Sequence, residues 1–303
     1  MTMIDTIRAA VALGPSMRRA AADIDSLFEA ILPDPPDPRR CLFQAMRYAA
    51  VGGGKRLRPL LTIAASDLFG VPRESAVRAG LAVECVHVHS LIHDDLPCMD
   101  DDDLRRGKPT VHRAFDEATA VLAGDALLAL AFEILGDRAM PVSGDIRAEL
   151  VFELARAAGA SGMAGGQMLD LFPAEALDLD AITRLQRLKT GALIGWCVEA
   201  GAIMGQASPE ARTSLRGYAH CLGLAFQIAD DLLDHDGDEA RVGKRLRKDD
   251  DQGKVTFVTM LGVERARRQS RLLVDQAIEH LQGFGRESDL LAAIARFAIS
   301  RDH

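Results

Sequence analysis

The stretch Ser90–His112, SLIHDDLPCMDDDDLRRGKPTVH, decides how the chain is read. An apolar-periodic segment runs into Asp94 and Asp95, and Pro97 then removes a backbone donor and pushes the residue before it out of helical geometry, so the helix must end close to Leu96. Four consecutive aspartates, Asp100 to Asp103, follow and lead into Arg105 and Arg106. In an unbroken helix Asp94 and Asp100 would stand about 240° apart around the axis. The break lets Asp100 fold back towards Asp94. Carboxylates held this close raise one another's pKa unless cations neutralise them. Hard oxygen donors select Mg²⁺ or Ca²⁺, and Mg²⁺ takes one or two protein carboxylates together with substrate phosphates. The guanidinium pair Arg105-Arg106 suits bidentate phosphate binding.

A solvated acidic loop would account for one such cluster, but there is a second. In QIADDLLD, Gln227–Asp234, Asp230 and Asp234 are four residues apart, which places them on one helical face about 6 Å apart along the axis. Basic residues follow, at Lys244, Arg245, Arg247, Lys248 and Lys254. Two helix-borne acidic clusters, each trailed by cations, suit several Mg²⁺ ions gripping one diphosphate.

Outward from these clusters, the chain is alanine- and leucine-rich, with most apolar residues at helical spacing, and the expected class is all-α. The length of 303 residues allows a large core, and we expect one domain spanning 1–303. Helices are expected over about 16–32, 40–51, 74–96, 116–135, 179–204, 209–234, 255–281 and 288–300, with another from Gly144 towards GGQMLDL. The run 116–135 is apolar nearly all round and belongs at the centre or at a subunit contact. Asp125 and Glu133 interrupt this longest apolar region, so no membrane span is expected. The net charge of −8 argues against nucleic-acid binding. Five cysteines without CxxC pairing argue against a disulfide framework and for a reducing cytoplasm.

Several motif readings fail. The run Gly52-Gly53-Gly54-Lys55 lacks the P-loop spacing, with Arg56 where Ser or Thr is needed. Cys85, His87 and His89 suggest a metal site, yet only Cys85 and His89 share a helical face. DHDGDE at 234–239 lacks the EF-hand glycine position and closing glutamate.

Taken together, GGKRLRP (53–59), DDLPCMDDDDLRRGKP (94–109), GGQMLDL (165–171), KTGALI (189–194), QIADDLLD (227–234) and the GK pairs at 243–244 and 253–254 resemble the short-chain trans-prenyl diphosphate synthases, most closely bacterial farnesyl diphosphate synthases. The resemblance implies a helical bundle around a central cavity, the isoprenoid-synthase fold. It implies head-to-tail condensation of isopentenyl diphosphate with dimethylallyl and geranyl diphosphate by ionisation, condensation and elimination. About three Mg²⁺ per site, with Mn²⁺ able to substitute, would be held by Asp94, Asp100 and Asp230. Lys55, Arg58, His87 and Arg106 would bind isopentenyl diphosphate. Arg105, Lys189, Thr190, Gln227, Lys244 and Lys254 would serve the allylic diphosphate, with Lys189, Thr190 and Gln227 closest to the chemistry. Thr190, mid-helix, is expected to bond back to a carbonyl and bend the helix so that oxygens face the allylic cation.

The same resemblance implies a homodimer, and it places His89 and Ser90 where product length is limited. A bulky group there stops the growing tail, because overpacking an apolar cavity costs roughly 1–3 kcal/mol. Bacterial farnesyl enzymes often carry an aromatic residue at His89 and geranylgeranyl enzymes a smaller one, so two products stay open: farnesyl and geranylgeranyl diphosphate. A catalytically silent partner subunit is a third alternative. It would have lost an acidic cluster or the basic anchors, and here both are present.

Overall fold

The computed structural model describes residues 3–172, 178–236 and 255–300, with side chains from residue 13 onward and that of residue 236 excepted. It is all-α, as expected, apart from one small hairpin. In chain order the helices are α1 (Met3–Ile31), α2 (Arg40–Ala50), α3 (Leu57–Asp67), α4 (Arg73–Asp94), the short α5 (Val111–Ala114), α6 (Glu117–Gly136), α7 (Gly144–Ala158), α8 (Met163–Leu171), α9 (Leu179–Gln186), α10 (Ala192–Met204), α11 (Pro209–Asp236), α12 (Phe257–Leu261), α13 (Val263–Glu279) and α14 (Asp289–Ser300). The hairpin pairs β1 (Leu104–Arg105) with β2 (Lys108–Pro109).

Helices α3, α4 and α10 form the interior, and each is buried around much of its circumference. Small residues set how closely they pack. A side chain at Gly201 would meet the Ala65 and Ser66 backbone within 2.6 Å, so α10 lies directly on α3. Helix α6 packs on α4, and α13 on α11. Local polar groups fix the helix starts: Asp116 accepts the Thr119 N–H at 2.8 Å to open α6, and Asp178 does the same for Ala181 at 2.8 Å to open α9.

Four expectations need adjustment. Helix α1 continues through Pro15 because strong helix formers stand on both sides of it. The segment 255–281 divides at Gly262, whose φ of +74° no ordinary helix admits. The segment 179–204 is interrupted by a π-helical turn, Arg187–Gly191. Lastly, α6 does meet the length and apolarity of a membrane span, with a mean hydropathy of 1.8 over its most apolar stretch, since its three acidic residues, Glu117, Asp125 and Glu133, do not outweigh its alanines and leucines. It packs on α4, α2 and α7, with 39% of its most apolar stretch buried within this chain.

Candidate active site

Helix α4 ends at Asp94, and the chain turns as Pro97 requires. The Asp100 N–H donates to the Asp94 carbonyl at 2.8 Å, and Met99 and Asp101 both donate to Leu96. Asp101 takes a left-handed φ of +51° to complete the turn. Asp100 is thereby folded back onto Asp94, as the sequence implied. Burial pushes the Asp94 carboxyl up to about 6; the Lys189 charge opposes this and the Asp100 charge adds to it. A carboxylate starved of water beside a like charge is a group that a hard cation would relieve, so the donor set fits Mg²⁺.

The hairpin presents the two arginines differently. Its two-residue turn, Arg106-Gly107, has φ of +55° and +73°, the positive-φ pair that a tight hairpin favours. Arg105 is held by buried Asp95, with Nε 2.9 Å from both carboxylate oxygens and Nη2 2.6 Å from Oδ1. Arg106 instead lays its guanidinium over the glycine run. A Cβ at Gly53 would stand 2.7 Å from its Nη1, and one at Gly54 2.5 Å from its Nη2. The glycines, which fail as a P-loop, are the bed for this cation.

Lys55, Arg58, His87 and Arg106 all line one cavity of about 680 Å³, with Arg105 and Lys108 also on its wall. The four residues expected to share an anion are thus brought together from three separate segments. Burial first, and the charges of Arg58 and Arg106 next, hold the His87 imidazole well below its usual pKa. It is therefore a neutral hydrogen-bonding group there.

Two residues of this site escaped the sequence reading. Arg56, with φ of +50°, also lines the cavity, but its buried guanidinium is held by carboxylates. Its Nη1 meets Glu84 Oε1 at 2.7 Å and its Nη2 meets Asp25 Oδ1 at 2.5 Å, and it also donates to the Ala50 carbonyl. The signal was Glu84 on an otherwise apolar stretch of helix, since a buried carboxylate requires a partner.

The second cluster is anchored from below. The Asp231 carboxylate accepts Gln227 Nε2 at 2.9 Å and the Phe257 N–H at 2.9 Å, so it fixes where the chain re-enters at α12. Asp230 and Asp234 lie to either side of it in sequence, on α11. Thr190 corrects the sequence reading. Its hydroxyl donates across to Gln227 Oε1 at 3.2 Å, and the bend is the π-turn itself. Such turns recur at functional sites. Lys189 Nζ lies 2.5 Å from Asp170 Oδ2. A Cβ at Gly166 would fall 2.2 Å from the Lys189 backbone nitrogen, so GGQMLDL presses α8 onto the π-turn. Lys189 acts on Asp94 electrostatically and adjoins Thr190, which is bonded to Gln227, so the π-turn links the first acidic turn to the second. Lys244 and Lys254 lie outside the described residues.

One turn before Asp94, His89 and His93 stack edge to face with centroids 4.5 Å apart. Burial, then the neighbouring His93, lowers the His89 pKa to about 4. The Ser90 hydroxyl turns back to the His87 carbonyl at 2.8 Å. Cys85 is buried, and its thiol is pushed well up by desolvation, then by Glu84.

The protein is an α-helical bundle that carries two aspartate clusters, at the Asp94–Asp100 turn and on α11, and a cavity walled by basic residues. The chain belongs to the polyprenyl synthetase family, whose profile matches residues 39–296. It is 48% identical over 265 residues to the farnesyl diphosphate synthase of Escherichia coli, covering 86% of this chain and 89% of that protein. It is 43% identical over 265 residues to a chloroplastic geranylgeranyl pyrophosphate synthase of Catharanthus roseus, covering 86% and 74% respectively. Among solved structures, an FPP/GFPP synthase of Zymomonas mobilis superposes with a TM-score of 0.88 at 56% identity, over 96% of this chain and 99% of the other. The chain is accordingly a trans-prenyltransferase of isoprenoid biosynthesis, acting on isoprenoid diphosphates, in a family that generally needs a divalent metal.

Proposed function

We propose that the enzyme condenses isopentenyl diphosphate with dimethylallyl and then geranyl diphosphate to make (2E,6E)-farnesyl diphosphate. The observation that carries this reading is the single cavity shared by Lys55, Arg58, His87 and Arg106 beside the Asp94–Asp100 turn. In it, three cations and a neutral imidazole would bind the isopentenyl diphosphate. Lys189 would exchange Asp170 for the allylic diphosphate, and Arg105, with donors left over from Asp95, would add charge beside it, as would Lys244 and Lys254. Thr190 gives its proton to Gln227, so its lone pairs remain the part that can stabilise an allylic cation. The apolar walls keep water from that cation. No protein nucleophile is required, and the released diphosphate is the base for the final elimination.

About three Mg²⁺ ions, held by Asp94, Asp100 and Asp230, would supply charge neutralisation of the leaving diphosphate. We read residues 1–303 as one domain, supported by a buried core that runs from Leu13 to Ala298. A homodimer and a cytoplasmic setting complete the proposal, the former supported by exposed Val121 and Leu122 on α6.

Geranylgeranyl diphosphate is the second reading, favoured by His89, which is smaller than the aromatic residues common in bacterial farnesyl enzymes. Incubation with dimethylallyl and isopentenyl diphosphates, followed by chromatography of the dephosphorylated alcohols, decides. A C15 alcohol upholds the proposal, whereas a C20 alcohol replaces it with the second reading.

A further inference from the structure

His89, His93 and Asp125 each bring one ligand atom to within 4.8 Å of the other two. The two histidines are four residues apart on α4, so their rings share a face, the arrangement by which helices chelate transition metals. Asp125 comes from α6, with its Oδ1 3.8 Å from His93 Nε2. Helix α6 can come this near because its residue 124 is glycine, since a Cβ there would overlap the His93 ring. The His89 ring carries a second signal: its Nδ1 is buried with no hydrogen-bond partner among the described residues. A desolvated nitrogen without a partner is costly, and coordination is one way to satisfy it.

We infer that His89, His93 and Asp125 form a binding site for a borderline first-row divalent ion such as Zn²⁺ or Co²⁺, separate from the carboxylate site for Mg²⁺. Two imidazoles and one carboxylate suit these ions and not Mg²⁺, which prefers all-oxygen shells. Three protein ligands leave a fourth position for water. On binding, His93 Nε2 would exchange its present 3.0 Å contact with the Val121 carbonyl for the ion. The ion would tie α4 to α6. Because His89 is also the proposed chain-length residue, it would fix the ring that stops the tail, although the binding itself does not depend on that reading.

The test is isothermal titration of the full-length protein with Zn²⁺ in the absence of diphosphate, backed by the visible spectrum with Co²⁺. One equivalent is expected to bind to the wild type and to Asp94→Ala, which disables the Mg²⁺ site. His89→Ala, His93→Ala and Asp125→Asn are each expected to weaken binding at least about tenfold. Asp125 is largely exposed, so its variant serves if the histidine variants fold poorly. Absence of binding, binding indifferent to these substitutions, or binding lost only with Asp94 would each overturn the inference. Product analysis is independent of this result, so failure here leaves the prenyltransferase reading intact.

Discussion

Arg56 Nη1 stands 2.7 Å from Glu84 Oε1, with the two side chains 0% and 3% exposed. This pair, extended to Asp25 at 2.5 Å, ties the start of α3 to α1 and α4, immediately between Lys55 and Arg58. A charge inside the bundle is thus what aligns the charges on the cavity wall.

Arg56→Ala would leave the Glu84 carboxylate buried without this partner, and removing one member of a buried pair costs roughly 3–5 kcal/mol. Urea unfolding should show that loss. The surviving folded enzyme should show a raised KM for isopentenyl diphosphate, because Lys55 and Arg58 lose their alignment. A variant as stable as the wild type would contradict the network.

Gly53→Ala isolates the bed of Arg106, because the three atoms nearest its Cβ all belong to that side chain, with Nη1 at 2.7 Å. A long side chain can swing away, so the melting temperature should hardly move. The KM for isopentenyl diphosphate should rise by about tenfold, equivalent to about 1.4 kcal/mol of lost binding. Steady-state kinetics with each substrate varied in turn would show whether the effect is confined to isopentenyl diphosphate.

Asp94→Ala and Asp230→Ala should each lower turnover by at least about a hundredfold, the scale of removing one preorganised electrostatic contact, with the helical circular dichroism retained. Full activity in either variant would refute the assignment of these carboxylates to the metal.

The elevated pKa of Asp94 has a definite sign. A carboxyl raised from 3.8 to about 6 in the metal-free fold favours the protonated protein. Its contribution to stability is fully present below about pH 4 and is lost as the pH rises through 6. Metal binding needs the ionised form, so the Mg²⁺ concentration for half-maximal activity should rise steeply between pH 7 and pH 5. Calorimetric Mg²⁺ titration with inorganic pyrophosphate should follow the same trend, releasing protons most strongly near pH 5 to 6.

His89→Ala removes the ring from the turn below Asp94 and should shift the product towards C20 and longer. Chromatography of the alcohols reads this directly, and unchanged products would place the stop at another residue.

The acidic turn was legible because proline and a run of aspartates act locally: the fold-back of Asp100 onto Asp94 follows from Pro97 without knowledge of any other helix. Helix starts at Asp116 and Asp178 were equally local. The π-turn at Lys189-Thr190 was not, because it depends on Gly166 and Gln227 arriving from other helices. Nor was the division of labour between neighbours: Arg105 is bound to Asp95 while Arg106 lies over Gly53, and Arg56 is held by Glu84 and Asp25.

The sequence by itself determined the all-α class, the two aspartate clusters and the pool of cations available to an anionic substrate, since periodicity, backbone restriction and charge are properties of short segments. Only the tertiary structure decided which cations are held by buried carboxylates, and which histidines stand together. Those outcomes depend on close approach between segments far apart in the chain, where burial makes an unpaired charge costly and a missing Cβ admits a guanidinium or an imidazole ring.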